Sequence, residues 1–165
     1  MTATASPTRR WCTFRIGVAC FGVDTAAVVE VLRGRGLTRV PLAAEGVLGL
    51  VHLRGRIVPV IDPAARLGVA AAATAGSQAQ LVVALGDDWY GLAVDEMLDV
   101  IEIPTAQIER PAAAAAHGEA IAGTFAAETR LVHLLDPEHL IESLVRQPSH
   151  HPARPGGHRP GGPNG

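Results

Sequence analysis

The 165-residue chain contains no lysine, and all 14 of its basic residues are arginine. That absence excludes Schiff-base chemistry, a Walker A phosphate loop and a serine–lysine dyad, each of which needs a lysine amine. Hydrophobic residues make up 48% of the chain, but much of that is alanine, and only three Phe, two Trp and one Tyr are aromatic. Two cysteines, Cys12 and Cys20, are too few for a disulfide scaffold. On adjacent strands joined by a turn near Val18 they stand out of register, so both are expected as free, buried thiols. No stretch approaches the roughly 18–20 apolar residues of a membrane-spanning helix. Thr8-Arg9-Arg10-Trp11 has the look of a twin-arginine signal and Val18-Ala19-Cys20 of a lipoprotein box, yet Arg15 and Asp24 interrupt the apolar region such a leader needs. A formal net charge of −2 and a pI near 6.4 argue against a nucleic-acid binder that works through a basic face. Neither a nucleic-acid partner nor direct membrane insertion is expected.

What the chain does have is strands. Cys12–Ile16 and Cys20–Val23 flank Gly17 as a hairpin. Val28–Leu32 is β-branched and apolar. Val47–Leu53 and Arg56–Ile61 flank Arg54-Gly55, a second hairpin signal. Pro59 inside the latter run suggests an edge position or a bulge. Asp62-Pro63 opens a short helical turn, Ala64–Leu67, stopped by Gly68. Residues 69–78 are mostly small or polar and form the best internal linker. Gln80–Leu85 and Trp89–Val94 flank Gly86-Asp87-Asp88. Met97–Ile103 is a strand ended by Pro104. Ala112–Ala116 lacks an amphipathic pattern and is expected as a loop. Ala122–Ala126 and Arg130–Leu135 form a last hairpin. Asp136-Pro137 then starts a helix, Glu138–Val145, with Leu140, Ile141, Leu144 and Val145 on one face. Residues 1–10 and 148–165 are expected to be disordered; ten of the last 18 residues are Gly or Pro, so the segment buries too little to offset its ordering entropy.

About ten short strands around a central linker imply an all-β protein. The count suits two small barrels, roughly 11–68 and 79–147, within one domain of residues 11–147. Each half alone has a marginal core, so the two are expected to pack on one another.

The search for catalytic groups comes out nearly empty. Ser77 and Ser143 lack a nucleophile-elbow pattern. His52, His117, His133 and His139 are scattered without metal-ligand spacing, so no metal and no cofactor are expected. Asp87-Asp88 and Asp95-Glu96 are expected as solvated turn carboxylates. Gly34-Arg35-Gly36 stops short of a dinucleotide fingerprint. An enzyme or ligand carrier would need a deep pocket with convergent polar groups. Two charges do stand out: Glu30 inside an apolar strand and Arg54 at a hairpin turn. An embedded charge is costly unless paired. Either the two pair across neighbouring strands or both point to solvent.

Several runs together resemble the bacterial chemotaxis coupling protein CheW. They are Phe21-Gly-Val-Asp24, Val28-x-Glu30-Val31, Thr38-Arg39-Val-Pro41 and Gly49-Leu-Val-His-Leu-Arg-Gly-Arg-Ile-Val-Pro-Val-Ile-Asp62. Gly91-Leu-Ala-Val-Asp95, Asp99-Val100, the strand around Gly123 and Leu131–Asp136 follow in that family's order. The resemblance covers roughly residues 12–145. It implies two five-stranded SH3-like β-barrels on a shared core with a short C-terminal helix, and a non-enzymatic, cytoplasmic adaptor associated with membrane-bound receptor arrays. The implied partners are the cytoplasmic hairpin tip of chemoreceptors and the regulatory domain of a CheA-type histidine kinase. A pilus-motility or developmental chemosensory pathway, or a kinase-binding regulator without receptor contact, is the alternative. Carried over by position, Glu30 and Arg54 match an ion pair beside the receptor groove, and Val28, Val31, Leu48, Gly49 and Val51 match groove positions. Gly49 would let a receptor backbone approach closely. Kinase contacts are expected in the second barrel, around Gly91. His52 stands where the family usually has Asn, and Leu32-Arg33 replace the more usual Arg-Gly.

Overall fold

The computed structural model describes residues 4–34, 36–44, 46–70, 79–111 and 118–145. Ten strands occupy it: β1 (Thr8–Ile16), β2 (Ala19–Asp24), β3 (Val28–Arg33), β4 (Val47–Leu53), β5 (Arg56–Ile61), β6 (Ala79–Leu85), β7 (Asp88–Val94), β8 (Glu96–Pro104), β9 (Ile121–Ala126) and β10 (Leu131–Leu135). A one-turn helix α1 (Ala64–Leu67) follows β5, and α2 (Pro137–Val145) follows β10. The strands form two five-stranded sheets, ordered β8-β1-β2-β10-β9 and β3-β6-β7-β5-β4.

The turns form where the local chemistry demands them. Gly17, Gly55 and Gly86 all have φ between 60° and 75°, the left-handed region that tight hairpins require. Asp62 Oδ1 accepts from the Ala64 amide at 3.0 Å, and Asp136 Oδ1 accepts from Glu138 at 3.0 Å. Each carboxylate thus satisfies a free helix-terminal donor. Gly68, at φ 67°, stops α1.

Three apolar clusters explain the architecture. Trp11, Ile103, Val132 and Leu134 fill the first sheet. Leu32, Val51, Leu53, Val58, Val60, Val82 and Ala93 fill the second. A larger cluster between them joins Phe14, Phe21 and Val23 to Ile61, Leu81, Leu92 and Val94, and α2 closes it with Leu140 and Ile141. Alternate residues of one strand therefore serve different clusters. On β6, Val82 points into its own sheet while Leu81 and Val83 point into the shared core. That two-sided burial is why residues 81–85 run apolar rather than alternating. The fold is two SH3-like barrels on a shared core, as expected.

The partition of the chain between them differs from the expectation. The barrels are not residues 11–68 and 79–147. The second sheet is continuous, residues 28–94, and the first is split into 8–24 and 96–135. β8 returns to pair with β1, matching Trp11 to Ile101. One barrel is thus inserted into the other. Three residues, Thr25–Ala27, carry the chain across in one direction, and Asp95 alone carries it back. The linker 69–78 falls inside the second barrel, and its residues 71–78 lie outside the described residues. The N-terminal lead is also shorter than expected. Thr8, Arg9 and Arg10 are strand, because β8 extends far enough to pair with them. β5 is interior rather than an edge, but its pairing with β7 begins only at Val60, just past Pro59. Residues 112–117 and 146–165, covering the expected alanine loop and Gly/Pro/His segment, lie outside the described residues.

Candidate functional site

β3 and β4 are the two outermost strands of the second sheet. The sheet curls until these edges meet. Leu32 of β3 shares a cluster with Val51 and Leu53 of β4. Above that packing, Arg54 Nη2 lies 3.2 Å from Glu30 Oε2. The ion pair weighed in the sequence therefore exists, and it spans the seam where the barrel closes. It is only partly sheltered, with 62% of the Arg54 side chain and 35% of that of Glu30 exposed. Oε2 itself is hidden from solvent and has no partner in hydrogen-bond geometry, so Coulomb attraction rather than a directed bond holds it.

Arg54 sits at the first turn position with φ 51°, followed by Gly55 at 75°. Two successive positive φ values make a type I′-like turn, where Asn-Gly or Asp-Gly is the preferred pair. An arginine there strains the backbone by roughly 1–3 kcal/mol, and the turn itself has no use for its side chain.

The remaining groove positions divide by strand parity. On β4, Leu48 is 40% exposed, whereas Gly49 and Val51 point inward and are buried. Val28 and Val31 are half-buried and pack on the shared core. Gly49 is corrected in role as well as exposure. A Cβ there would lie 2.7 Å from the Thr38 carbonyl oxygen. Thr38 exchanges backbone hydrogen bonds with Leu50 at 2.9 and 2.8 Å. The close approach at Gly49 is therefore made by the chain's own segment, which covers the free edge of β4, and not by an outside backbone. Gly91 is likewise buried, and a Cβ there would meet Val60 Cγ2 at 2.9 Å. It belongs to the same barrel as Glu30 and Arg54, rather than to the other barrel.

Leu50 and Ile57, which sequence reasoning passed over, lie on the outer face of the β4–β5 hairpin. Leu50 pairs with Pro59 and His52 with Ile57, and Ile57 is 61% exposed. The signal was available. In a strand of period two, an inward Val51 places Leu48, Leu50 and His52 outward. Nearby, the Arg56 guanidinium stacks on Trp89 at 4.4 Å and donates to the Asp87 carbonyl at 2.9 Å.

The Asp95-Glu96 pair also proves more structural than expected. Asp95 Oδ2 accepts from the Gly17 amide at 2.6 Å, and Glu96 meets Arg15 at 2.7 Å. Both tie the returning strand to the β1–β2 turn. His139 lies between two carboxylates, 2.8 Å from Asp136 and 3.1 Å from Glu119. The hydrogen bond to Asp136 holds its pKa above the ordinary 6.5. Cys12 and Cys20 are free, out of register on their hairpin; Cys12 is buried and Cys20 half-buried. Burial pushes the Cys12 thiol up, away from thiolate chemistry. Among the described residues no cluster of His, Cys, Asp and Glu has the arrangement of a metal site, and no helix is long and apolar enough to cross a membrane.

The family profile described as the CheW-like domain matches residues 10–145. The chain belongs to the CheW family. It is 31% identical over 136 residues to chemotaxis protein CheW of Rhizobium meliloti, covering 81% of this chain and 88% of that protein. It is 32% identical over 112 residues to protein FrzA of Myxococcus xanthus, covering 67% and 69%. Among solved structures, the scaffolding protein TtCheW from Thermoanaerobacter tengcongensis superposes with a TM-score of 0.74 at 26% identity, covering 82% of this chain and 94% of that one. The CheW family is a family of non-catalytic scaffolds, and this CheW-type chain is one of them. What it offers is therefore faces: a seam carrying an ion pair, and an outward hairpin carrying apolar side chains.

Proposed function

We propose that this CheW-family protein couples the cytoplasmic hairpin tip of a chemoreceptor to the regulatory domain of a CheA-type histidine kinase, on the cytoplasmic side of membrane-bound receptor arrays. The observation that carries the reading is Arg54. The turn would be less strained with Asn or Gly, yet it holds an arginine whose side chain stays 62% exposed beside Glu30. A side chain kept at that backbone cost and left open to solvent is suited to meeting a partner. The receptor contact would use the Glu30–Arg54 seam and the exposed Leu48, with Val28 and Val31 supporting them from below. Gly49 and Val51 would shape the groove without touching its occupant.

Binding of the full chain to an immobilised receptor tip and to a kinase regulatory domain tests the proposal. Each contact is expected in the micromolar range, on the order of 10 μM, as small faces rank among weak interfaces. Array formation then rests on multivalency. Absence of binding to both partners at 200-fold that concentration, roughly 2 mM, rejects the assignment.

A further inference from the structure

A cavity of about 640 Å³ opens between α2 and the β6–β7 turn. Its α2 wall consists of Glu138, Ile141, Glu142 and Val145, the i, i+3, i+4, i+7 positions of one helix face. Its apolar lining includes Leu85, Tyr90 and the buried Ile141, with Val145 exposed at the helix end. Its rim is acidic, formed by Asp88, Glu138 and Glu142. The helix cannot close the gap by rotating. Leu140 is held in the shared core, and Ser143 accepts a 2.9 Å hydrogen bond from Arg66 Nε on another side.

The chain continues from this groove. Val145 lines it, and the next residues are Arg146 to Gly165. That stretch contains Arg146, Arg154 and Arg159, also His150, His151 and His158, and no Asp or Glu. It also contains Pro152-Ala153-Arg154-Pro155, a P-x-x-P spacing with an arginine inside it. Such segments favour the polyproline II form, which loses little entropy on binding and docks against aromatic grooves. An apolar lining with a tyrosine and a rim of carboxylates complements both halves of that motif: proline rings on Tyr90, a guanidinium against Asp88 and Glu138.

We propose that the groove between α2 and the β6–β7 turn is a docking site for this chain's own segment Pro152–Pro155. Six residues separate Val145 from Pro152, and a tether of that length supplies an effective concentration near the millimolar range. A weak intrinsic contact, with a Kd of about 100 μM, is then occupied roughly ten to one. Occupation closes the groove to other basic or proline-rich segments until they displace it. The inference is independent of the receptor contact proposed above, which uses other residues.

Amide NMR spectra of the full chain test it. Replacing Arg154 by Glu, with Pro152→Ala and Pro155→Ala, should shift the resonances of Leu85–Tyr90 and Glu138–Val145. Raising sodium chloride to about 0.5 M should shift them in the same direction, because the Debye length falls to a few ångströms. A charge swap, Asp88→Arg with Arg154→Glu, should restore at least half of the shift lost in Arg154→Glu alone. A synthetic peptide of residues 147–165 should bind the triple variant at least fivefold more tightly than the parent, whose groove is already filled. Unchanged groove resonances in the triple variant overturn the proposal. So do shifts that vanish on dilution, which would assign the segment to a second copy, and perturbations confined to a different surface.

Discussion

Arg54 combines a strained backbone with a useful side chain, and substitutions separate the two. Arg54→Asn keeps a residue suited to φ 51° and removes the charge. Its stability in urea should stay within about 1 kcal/mol of the parent, because the strain relieved offsets the pair lost. Partner binding should still fall at least tenfold. Arg54→Ala keeps the strain and loses the pair. It should cost up to about 1 kcal/mol, the upper end for a partly exposed pair, since Glu30 Oε2 is hidden and loses its compensating charge. Equal binding by parent and Arg54→Asn would remove Arg54 from the partner face. Gly49 makes a different point. A methyl group there collides with a backbone oxygen rather than with a pliable side chain. Gly49→Ala should cost about 1–3 kcal/mol and expose the Leu50 amide to rapid hydrogen exchange, as Thr38 is pushed off the β4 edge. Neither effect was legible from residue type alone. The embedded charges could be singled out, because charge in an apolar run is locally anomalous. The use of Gly49 could not, since its neighbour Thr38 is brought in by a loop whose path leaves no periodic signature.

Elements form where local chemistry is strong, and this explains which parts of the fold could be read in advance. The hairpin Val47–Leu53 and Arg56–Ile61 was legible to the residue because the turn and the strand pattern agree. Which strands neighbour one another was not. β8 pairs with β1 across more than 80 residues of chain, and period-two patterning says nothing about so distant a partner. That is why a division at the linker looked reasonable and was wrong. The seam between β3 and β4 depends on such a distant contact, and Leu32 is its buried member. Leu32→Ala should cost about 2–5 kcal/mol and loosen the amides of β3 more than those of β6, as read by hydrogen exchange. At the other end of the chain, His139 clamps α2 to the turn bearing Glu119. Its pKa is raised, so its contribution is complete below about 6.5, the unfolded value, and is lost as pH rises through the folded value. Imidazole NMR should show His139 titrating above 6.5, and α2 amides should exchange relatively faster on the alkaline side. His139→Gln should abolish that pH dependence; an imidazole titrating at or below 6.5 would contradict the clamp.

The two tryptophans fall one to each barrel: Trp11 packs in the first and Trp89 beside the cluster of the second. They allow a test at the scale of the molecule. The shared core draws side chains from both sheets, so neither barrel retains its outer packing without the other. Single-tryptophan variants, Trp11→Phe and Trp89→Phe, should unfold with coincident fluorescence midpoints that match far-UV circular dichroism, the behaviour of one cooperative unit. Midpoints separated by more than about 0.3 M urea would show two units, given slopes of about 1–3 kcal/mol/M. The interleaved chain path has a mechanical meaning as well. The barrels are joined by two short covalent struts, one of three residues and one of a single residue, at opposite ends of β1, and the shorter is bolted at Asp95 to Gly17 and Arg15. A single tether permits twisting; a pair of short ones resists torque about every axis except the line through both. Whatever the two barrels grip is held at a set bearing, and a load on one is passed to the other with little play. For a protein without chemistry of its own, that fixed angle is a working part.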